Sequence, residues 1–261
     1  MHRTIQLPQW PPRRIVSLVP SQTELLADLA LEEQVLGITK FCIHPQHWYQ
    51  RKTRIGGTKT LNLAKIAALQ PDLIIGNKEE NDREQIEALA SRFPLWMSDI
   101  ATLPDALAMI REIGRLTYRA LPANALADGI LADFALLTPP EKPLRIAYLI
   151  WRKPYMAAGA NTFVHEMLQH AGFENVFAHK TRYPEISLAD LAETQPDAVF
   201  LSSEPYPFAA KHLNELQNAC PAAAVLLVDG ELFSWYGSRL KAAPAYFRSL
   251  DKSLKLAVLQ K

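Results

Sequence analysis

The sequence has few of the residues on which metal, redox and phosphate chemistry usually depend. Only two of its 261 residues are cysteine, Cys42 and Cys220, and thiols so far apart give neither a disulfide framework nor zinc-type ligand spacing. Glycine is scarce, at 10 residues, and the chain has no Walker, dinucleotide-binding or nucleophile-elbow glycine motif. We therefore predict that the protein is not an enzyme and requires no cofactor.

The chain also lacks an excess of charge and a long apolar run. Its 28 basic and 27 acidic residues give a formal net charge of +1, whereas a nucleic-acid binder usually shows a basic excess. No window approaches the roughly 18–20 apolar residues of a membrane span, and residues 1–12 lack the apolar core of a signal peptide. We expect a cytoplasmic monomer that binds no nucleic acid and has no membrane span; a periplasmic or lipid-anchored location is the alternative if a leader has been trimmed.

An internal repeat is the strongest positive signal. The segments 62–72 and 187–197 both read as an amphipathic helix stopped by Gln-Pro-Asp, and each is followed by a short apolar run typical of a buried parallel strand. Two further pairs of strand-like segments, 14–19 with 145–150 and 95–99 with 226–229, keep the same order. Because the separation stays at about 125 to 131 residues, the pattern indicates duplication of one lobe.

A different texture lies between the two copies. Residues 104–118 have the apolar spacing of a helix, and a second helix is predicted from Pro122 to about Leu137, where two prolines follow. About 16 helical residues span roughly 24 Å. We therefore predict an N-terminal α/β lobe over 1–119, a single linking helix over 120–138 and a C-terminal α/β lobe over 139–261.

Alternation of strands and helices predicts parallel sheets covered on both faces. Ligands of such sheets bind beyond the carboxyl ends of the strands, which directs attention to the loops that follow each strand. In two facing lobes these loops are expected to line one cleft. They occupy residues 20–22, 41–44, 77–81, 151–155, 202–206 and 233–239.

Several of these segments resemble a known family. The run Arg14-Ile-Val-Ser-Leu-Val-Pro-Ser-Gln-Thr-Glu-Leu25, the paired Gln-Pro-Asp turns, and Asn161-Thr-Phe163 ahead of Ala171-Gly-Phe-Glu-Asn-Val176 resemble the helical-backbone metal receptor superfamily. These proteins are the class III substrate-binding proteins of ABC importers. The resemblance covers residues 13–258 and implies two Rossmann-like lobes joined by one long helix, with a ligand cleft between them.

The resemblance also implies a ligand class and a set of site residues. The ligand is expected to be a cobalamin-like corrinoid, haem or a ferric siderophore, and the cobalamin-binding subgroup is the most similar. Aromatic faces stack on flat macrocycles, although Asn77 and Thr58 stand where the resemblance implies tryptophan. Trp151 and Phe233 have a core interpretation as well. The candidate ligand-binding residues are Phe41, Cys42, His44, Asn77, Trp151, Tyr155, Phe233, Trp235, Tyr236 and Arg239.

Two points stay open in this interpretation. Cys42 and His44 flank one residue, so in an extended loop they point the same way and either meet a soft metal or are a buried thiol and a structural histidine; His44 is also a candidate axial ligand of a corrinoid or haem. The resemblance further implies a glutamate in each lobe for docking to permease arginines, but Ala64 and Ala189 occupy those positions. The resemblance predicts an importer's receptor, and the two alanines favour the alternative of a cytoplasmic corrinoid or chelate carrier or sensor that does not dock to a transporter.

Overall fold

The computed structural model describes residues 11–259. Residues 1–10, which form most of the segment 1–12 on which the expectation about a leader rests, lie outside the described residues. The chain forms two compact units. Among the described residues the first comprises 11–100, Pro104–Ile130 and Trp235–Arg239, and the second comprises Ala101–Leu103, Leu131–Ser234 and 240–259.

The first unit contains a five-stranded sheet in which every pair is parallel. The strand order is β3-β2-β1-β4-β5, and β1 and β4 at its centre are buried along their whole length, as their unbroken apolar runs predict. The strands are β1 (Ile15–Ser17), β2 (Val35–Ile38), β3 (Thr53–Arg54), β4 (Leu73–Asn77) and β5 (Leu95–Ser98). The accompanying helices are α1 (Pro20–Asp28), α2 (Gln46–Arg51), α3 (Leu63–Ala68), α4 (Arg83–Ala90) and α5 (Leu103–Leu116).

Within the segment 120–138, for which a linking helix is predicted, the structure has one helix, α6 (Ala120–Ala135), 16 residues long. It begins two residues before Pro122, so the proline lies in the first turn, where its missing N–H costs no hydrogen bond. The change from the first unit to the second falls after Ile130, inside this helix. None of the helices in the described range is long and apolar enough to cross a membrane.

The second unit contains a six-stranded mixed sheet. Its path is β11-β10-β6-β7-β9, and β8 pairs with β6. The strands are β6 (Leu144–Trp151), β7 (Tyr155–Ala157), β8 (Phe173–Asn175), β9 (Glu185–Ile186), β10 (Ala198–Ser202) and β11 (Ala224–Val228). The helices are α7 (Phe163–His170), α8 (Leu188–Glu193), α9 (Leu213–Ala219), α10 (Glu231–Ser234) and α11 (Ala243–Leu259).

The parallel arrangement expected from the sequence holds for the pairs β6–β8, β6–β10 and β10–β11. Strands β7 and β9 depart from it, because β7 is antiparallel to both β6 and β9. Only three residues, 152–154, connect β6 to β7, and a connection that short permits a hairpin but not a parallel crossover.

The duplication predicted from the sequence is visible in the order of the strands. The order β2-β1-β4-β5 in the first unit corresponds to β8-β6-β10-β11 in the second. The Gln-Pro-Asp turns are also equivalent, because Gln70 and Gln195 each have a positive φ of 44°. The helix that precedes each turn is capped by a side chain, that of Asn62 or Ser187.

Candidate functional site

The loops after the strands of the first unit bring together predicted residues that are distant in sequence. Phe41 and His44 follow β2. The segment Trp235–Arg239, almost 200 residues further along the chain, also belongs to this unit. The two segments touch, because the rings of His44 and Trp235 meet edge to face with centroids 5.7 Å apart. Such contacts between aromatic rings add to the stabilisation from buried area.

The segment 235–239 packs closely on α1. A Cβ at Gly237 would lie 2.9 Å from the carbonyl oxygen of Ser21, so only glycine allows this approach without a shift. The Arg239 guanidinium donates from both Nε and Nη2 to the Glu24 carboxylate, the first hydrogen bond being 2.9 Å long. It also lies 4.8 Å from the centre of the Trp235 ring, within the range of a cation–π contact.

The pairing of Arg239 with Glu24 is a charge-assisted, two-point contact that is more specific in geometry than a single ion pair. Both side chains are only 19% exposed. Trp235 and Tyr236 are buried in this conformation. The aromatic side chains of this segment are therefore packed within the unit and do not form an exposed aromatic loop.

Phe41 is the exposed member of this group. Its side chain is 51% exposed, and the Lys40 ammonium lies 5.0 Å from its ring. Ile43 in the same loop is 46% exposed. Two large apolar side chains in a loop beside a half-buried histidine form a surface suited to contact with another apolar body.

Cys42 has the buried-thiol role rather than that of a metal ligand. It is fully buried, and its Sγ lies 3.1 Å from the hydroxyls of both Thr23 and Thr39. Burial raises the pKa of the thiol, and the two hydroxyls only partly oppose this. The thiolate is the form of cysteine that binds metals, and burial disfavours it here. In the described part of the chain, no group of three or more His, Cys, Asp or Glu side chains is placed to hold a metal. Cys42 and His44 are therefore not assigned as a metal site.

Asn77 is buried at the end of β4 and organises the loop that follows. Its amide nitrogen donates to the Ser98 hydroxyl at 2.9 Å, and its side-chain oxygen accepts the backbone N–H of Glu79 at 2.8 Å and of Glu80 at 3.2 Å. These bonds engage both ends of the amide. Asn77 therefore stabilises the loop after β4 by hydrogen bonds from a buried side chain.

In the second unit, Trp151 is the predicted residue nearest to solvent. It ends β6, is 40% exposed, and contacts Tyr206 edge to face with centroids 5.7 Å apart. Tyr206 in turn contacts Phe208 and His212. The result is an aromatic cluster at the carboxyl ends of β6 and β10, in which Phe208 and His212 are buried and Trp151 faces solvent.

Tyr155 and Arg152 form the polar side of that cluster. Arg152 donates to Glu215 from Nη2 at 2.7 Å and from Nε at 3.2 Å. This hydrogen bonding lowers the pKa of the Glu215 carboxyl, and Tyr155, whose pKa is raised by burial, interacts with both partners. The arginine is thus neutralised by a carboxylate of its own unit.

Phe233 takes the core interpretation. It is fully buried and packs against Tyr148 at 5.2 Å and Phe247 at 4.9 Å between ring centroids. Trp151, for which the same alternative was open, is on the surface. Both residues stand near the end of a strand, and that position alone does not predict which side chain is buried. Phe233 is buried because helix α10 turns it inward.

Glu24, Glu215 and Tyr206 are the residues that the sequence did not single out. Tyr206 stands at the end of the predicted loop 202–206, so the sequence indicated its position but not its contact with Trp151. Glu24 and Arg239 are 215 positions apart, and no periodic pattern connects residues at that distance. The two positions expected to carry docking glutamates, Ala64 and Ala189, are exposed at equivalent places in the first turns of α3 and α8.

Comparisons with known proteins agree with this architecture. A family model described as periplasmic binding protein matches residues 15–219. The vitamin B12-binding protein of Pectobacterium atrosepticum is 27% identical over 261 residues, which cover 94% of this chain and 91% of that protein. Among solved structures, the periplasmic vitamin B12-binding protein of Vibrio cholerae has a TM-score of 0.78 at 21% identity, covering 94% of this chain and 98% of that one. The periplasmic heme-binding protein of Roseiflexus in apo form has a TM-score of 0.82 at 22% identity, with coverages of 94% and 99%.

Proposed function

The chain belongs to the periplasmic binding protein family, and we propose that it binds a cobalamin-like corrinoid or a related metal chelate as the substrate-binding component of an ABC-type importer. The observation that carries this proposal is the 27% identity to a vitamin B12-binding protein along 94% of the chain. A match of that extent includes both units and the helix between them. The heme-binding structure with the same fold keeps haem as the second ligand class to test.

The residues of the first unit supply suitable chemistry. Phe41 and Ile43 offer exposed apolar surface, and His44 lies beside them against Trp235. Flat macrocycles gain contact area from such side chains, and a neutral imidazole nitrogen is a good ligand for cobalt or iron. We therefore retain His44 as the proposed axial ligand and Phe41, Trp235 and Arg239 as the proposed frame around it.

In this proposal the bound molecule is cargo and not a cofactor. The relatives are named for what they bind, and a receptor of this kind holds and releases its ligand without changing it. No catalytic residue is assigned to the chain.

The proposal places the protein in the periplasm, because both solved relatives are periplasmic proteins. The cytoplasmic location expected from the sequence receives no support from them. One observation favours the alternative of a carrier or sensor without a permease, namely the exposed Ala64 and Ala189 where docking glutamates were expected. Cell fractionation of the strain that encodes the protein, followed by detection with an antibody, distinguishes the two. A periplasmic pool supports the importer's receptor, and a purely cytoplasmic pool supports the carrier.

Titration of the purified protein with hydroxocobalamin tests the ligand class. The heat of binding and the corrin absorbance are followed together. Saturable one-to-one binding with a spectral shift supports the corrinoid site and axial ligation by a side chain. Binding without a shift supports contact through aromatic side chains alone, and the absence of binding to hydroxocobalamin, haem and a ferric siderophore contradicts the proposed function.

A matched pair of histidine variants assigns the spectral shift. His44→Ala is expected to abolish the shift and to weaken binding. His47→Ala is the control, because His47 stands three residues further on, is half exposed, and faces Glu32 at 3.5 Å. A shift that survives in His44→Ala rules out His44 as the axial ligand and leaves the binding function unaffected.

A further inference from the structure

Four positively charged side chains in or beside the loops of the first unit, Arg239 and three lysines, are engaged within that unit. Arg239 is the most enclosed of them, and the Glu24 carboxylate accepts both of its inward hydrogen bonds. The same guanidinium lies on the face of Trp235. If the guanidinium turned to a new partner, it would lose the hydrogen bonds at its edge and the ring contact at its face.

The lysines that follow neighbouring strands are engaged in a similar way. Lys78 pairs with Asp99 at 2.5 Å. Lys59 donates to the backbone carbonyl oxygens of Glu79 and Asn81. Lys40 lies over the ring of Phe41. Each of these cations already has an acidic, carbonyl or aromatic partner of its own unit.

We infer that this binding site selects a ligand without net negative charge, because Glu24 neutralises Arg239, the enclosed cation on the Trp235 ring that His44 also contacts. The inference rests on the proposed function and narrows its substrate class to neutral or cationic chelates. A ligand carboxylate that reached Arg239 would either displace the Glu24 carboxylate or be repelled by it at short distance. Either route weakens an anionic ligand relative to a neutral one of the same shape.

Pairs of ligands that differ only in charge test this directly. The first pair is cyanocobalamin and its monocarboxylic acid derivative, in which one side-chain amide has become a carboxylate. The second pair is haem dimethyl ester and haem, which carries two carboxylates. Dissociation constants are measured at low ionic strength, where screening is weak. We expect the uncharged member of whichever pair binds to bind at least about fivefold more tightly.

Glu24→Gln is the variant that assigns the selectivity to this ion pair. It keeps the shape of the side chain and removes its charge, so Arg239 is expected to attract the anionic ligand and the preference to shrink by about fivefold or to reverse. The control is Asp128→Asn, which removes the acidic partner of Arg111, 2.7 Å away on α5. That change is expected to leave the preference unaltered. Thermal unfolding of both variants confirms that each is folded.

The outcomes separate the inference from the function. If the wild type binds the anionic member of a pair as tightly as the neutral one, or if Glu24→Gln does not change the ratio, the inference is overturned while the binding function stands. If no member of either pair binds and a ferric siderophore does not bind either, the proposed function fails and the inference falls with it. A neutral preference that Glu24→Gln reduces and Asp128→Asn does not supports both.

Discussion

Glu24 and Arg239 form a two-point ion pair between residues 215 positions apart. Glu24 lies in α1 of the first unit, and Arg239 ends the five-residue segment by which the C-terminal part of the chain contributes to that unit. Arg239 in this pair makes a cation–π contact with Trp235, and Trp235 makes an edge-to-face contact with His44, so the pair helps to hold Trp235 beside His44. A break in this pair is expected to change the position of Trp235 as well as the charge of the site.

Replacement of Trp235 tests whether its ring organises the site. Trp235→Leu removes the aromatic face that Arg239 and His44 contact, whereas Trp235→Phe keeps a smaller one. We expect the Leu variant to be less stable than the Phe variant by about 1 kcal/mol or more in urea unfolding. Its affinity for hydroxocobalamin is expected to fall about tenfold, the effect of about 1.4 kcal/mol.

The control for this prediction is Trp48→Phe. Trp48 is buried in α2 of the same unit, so its replacement lowers stability by opening a cavity away from the Trp235 ring. It is expected to leave the affinity for hydroxocobalamin of the folded protein unchanged. Equal affinities of wild type and Trp235→Leu would show that the ring does not contribute to binding.

The buried thiol of Cys42 predicts a dependence of stability on pH. Burial raises the pKa of this thiol above its ordinary value of 9.0, so the unfolded chain ionises first. The neutral thiol therefore contributes its full stability below pH 9, and that contribution is lost as pH rises from 9 towards the folded-state pKa. The free energy of unfolding of the wild type should decline more steeply above pH 9 than that of Cys42→Ala.

The measurement is urea unfolding from pH 7 to 10. Cys220→Ala is the control, because Cys220 is also a buried thiol with a pKa raised by burial and its removal leaves the contribution of Cys42 in place. Parallel pH profiles for the wild type and Cys42→Ala would mean that the thiol ionises equally in both states.

The fold was predictable because its signals are local and repeated. Apolar runs gave the central strands, and the Gln-Pro-Asp turns gave two equivalent helix ends, each with a positive φ at its glutamine. The antiparallel strand β7 was not predicted, because its three residues are too few to show a strand period. Once β7 is recognised as a strand, the short connection 152–154 explains its direction.

The site was predictable only as a set of loops. Phe41, His44 and Trp151 follow or end strands and are exposed or half-buried, because the edge of a sheet is fixed by where its strands stop; their role in ligand binding stays a prediction. The direction of a side chain is not fixed in that way. Phe233 and Cys42 stand in equally good loop positions but are turned inward by neighbours that are distant in sequence or by local hydroxyls.

Trp151 in the second unit gives an independent prediction. Its ring is 40% exposed and contacts Tyr206 on one side, so Trp151→Ala should cost little stability, within about 1 kcal/mol. If it is a ligand-binding residue, its removal weakens hydroxocobalamin binding by about tenfold, as expected for an aromatic anchor. Calorimetric titration of the variant measures this loss.

Leu227→Ala is the matched control for Trp151. Leu227 is an exposed apolar side chain of β11 in the same unit, 45% exposed. Its removal should change neither stability nor affinity by a measurable amount, because isolated exposed apolar residues are common and contribute little. If both variants bind hydroxocobalamin like the wild type, Trp151 is a surface residue without a role in binding.

Asp72 and Asp197 test the energetic equivalence of the duplicated turns. The Asp72 carboxylate accepts the backbone N–H groups of Arg13 and Arg14, each at 2.8 Å, and the Asp197 carboxylate accepts that of Arg145 at 2.7 Å. Replacement by asparagine turns one acceptor into a donor. We therefore expect Asp72→Asn to lower the free energy of unfolding by about 1–3 kcal/mol and Asp197→Asn by about 1 kcal/mol.

Hydrogen exchange shows where each loss occurs. Asp72→Asn should reduce amide protection in β1, and Asp197→Asn should reduce it in β6, since each turn anchors the first strand of its own unit. Asp128→Asn serves again as the control, because the exposed pair with Arg111 is worth less than about 1 kcal/mol. Loss of protection in the opposite strand, or equal stability of Asp72→Asn and Asp128→Asn, would contradict the anchoring role. The two carboxylates accept hydrogen bonds from the backbone at the start of equivalent strands. Their removal should therefore destabilise each strand locally, and by more than the removal of a surface ion pair.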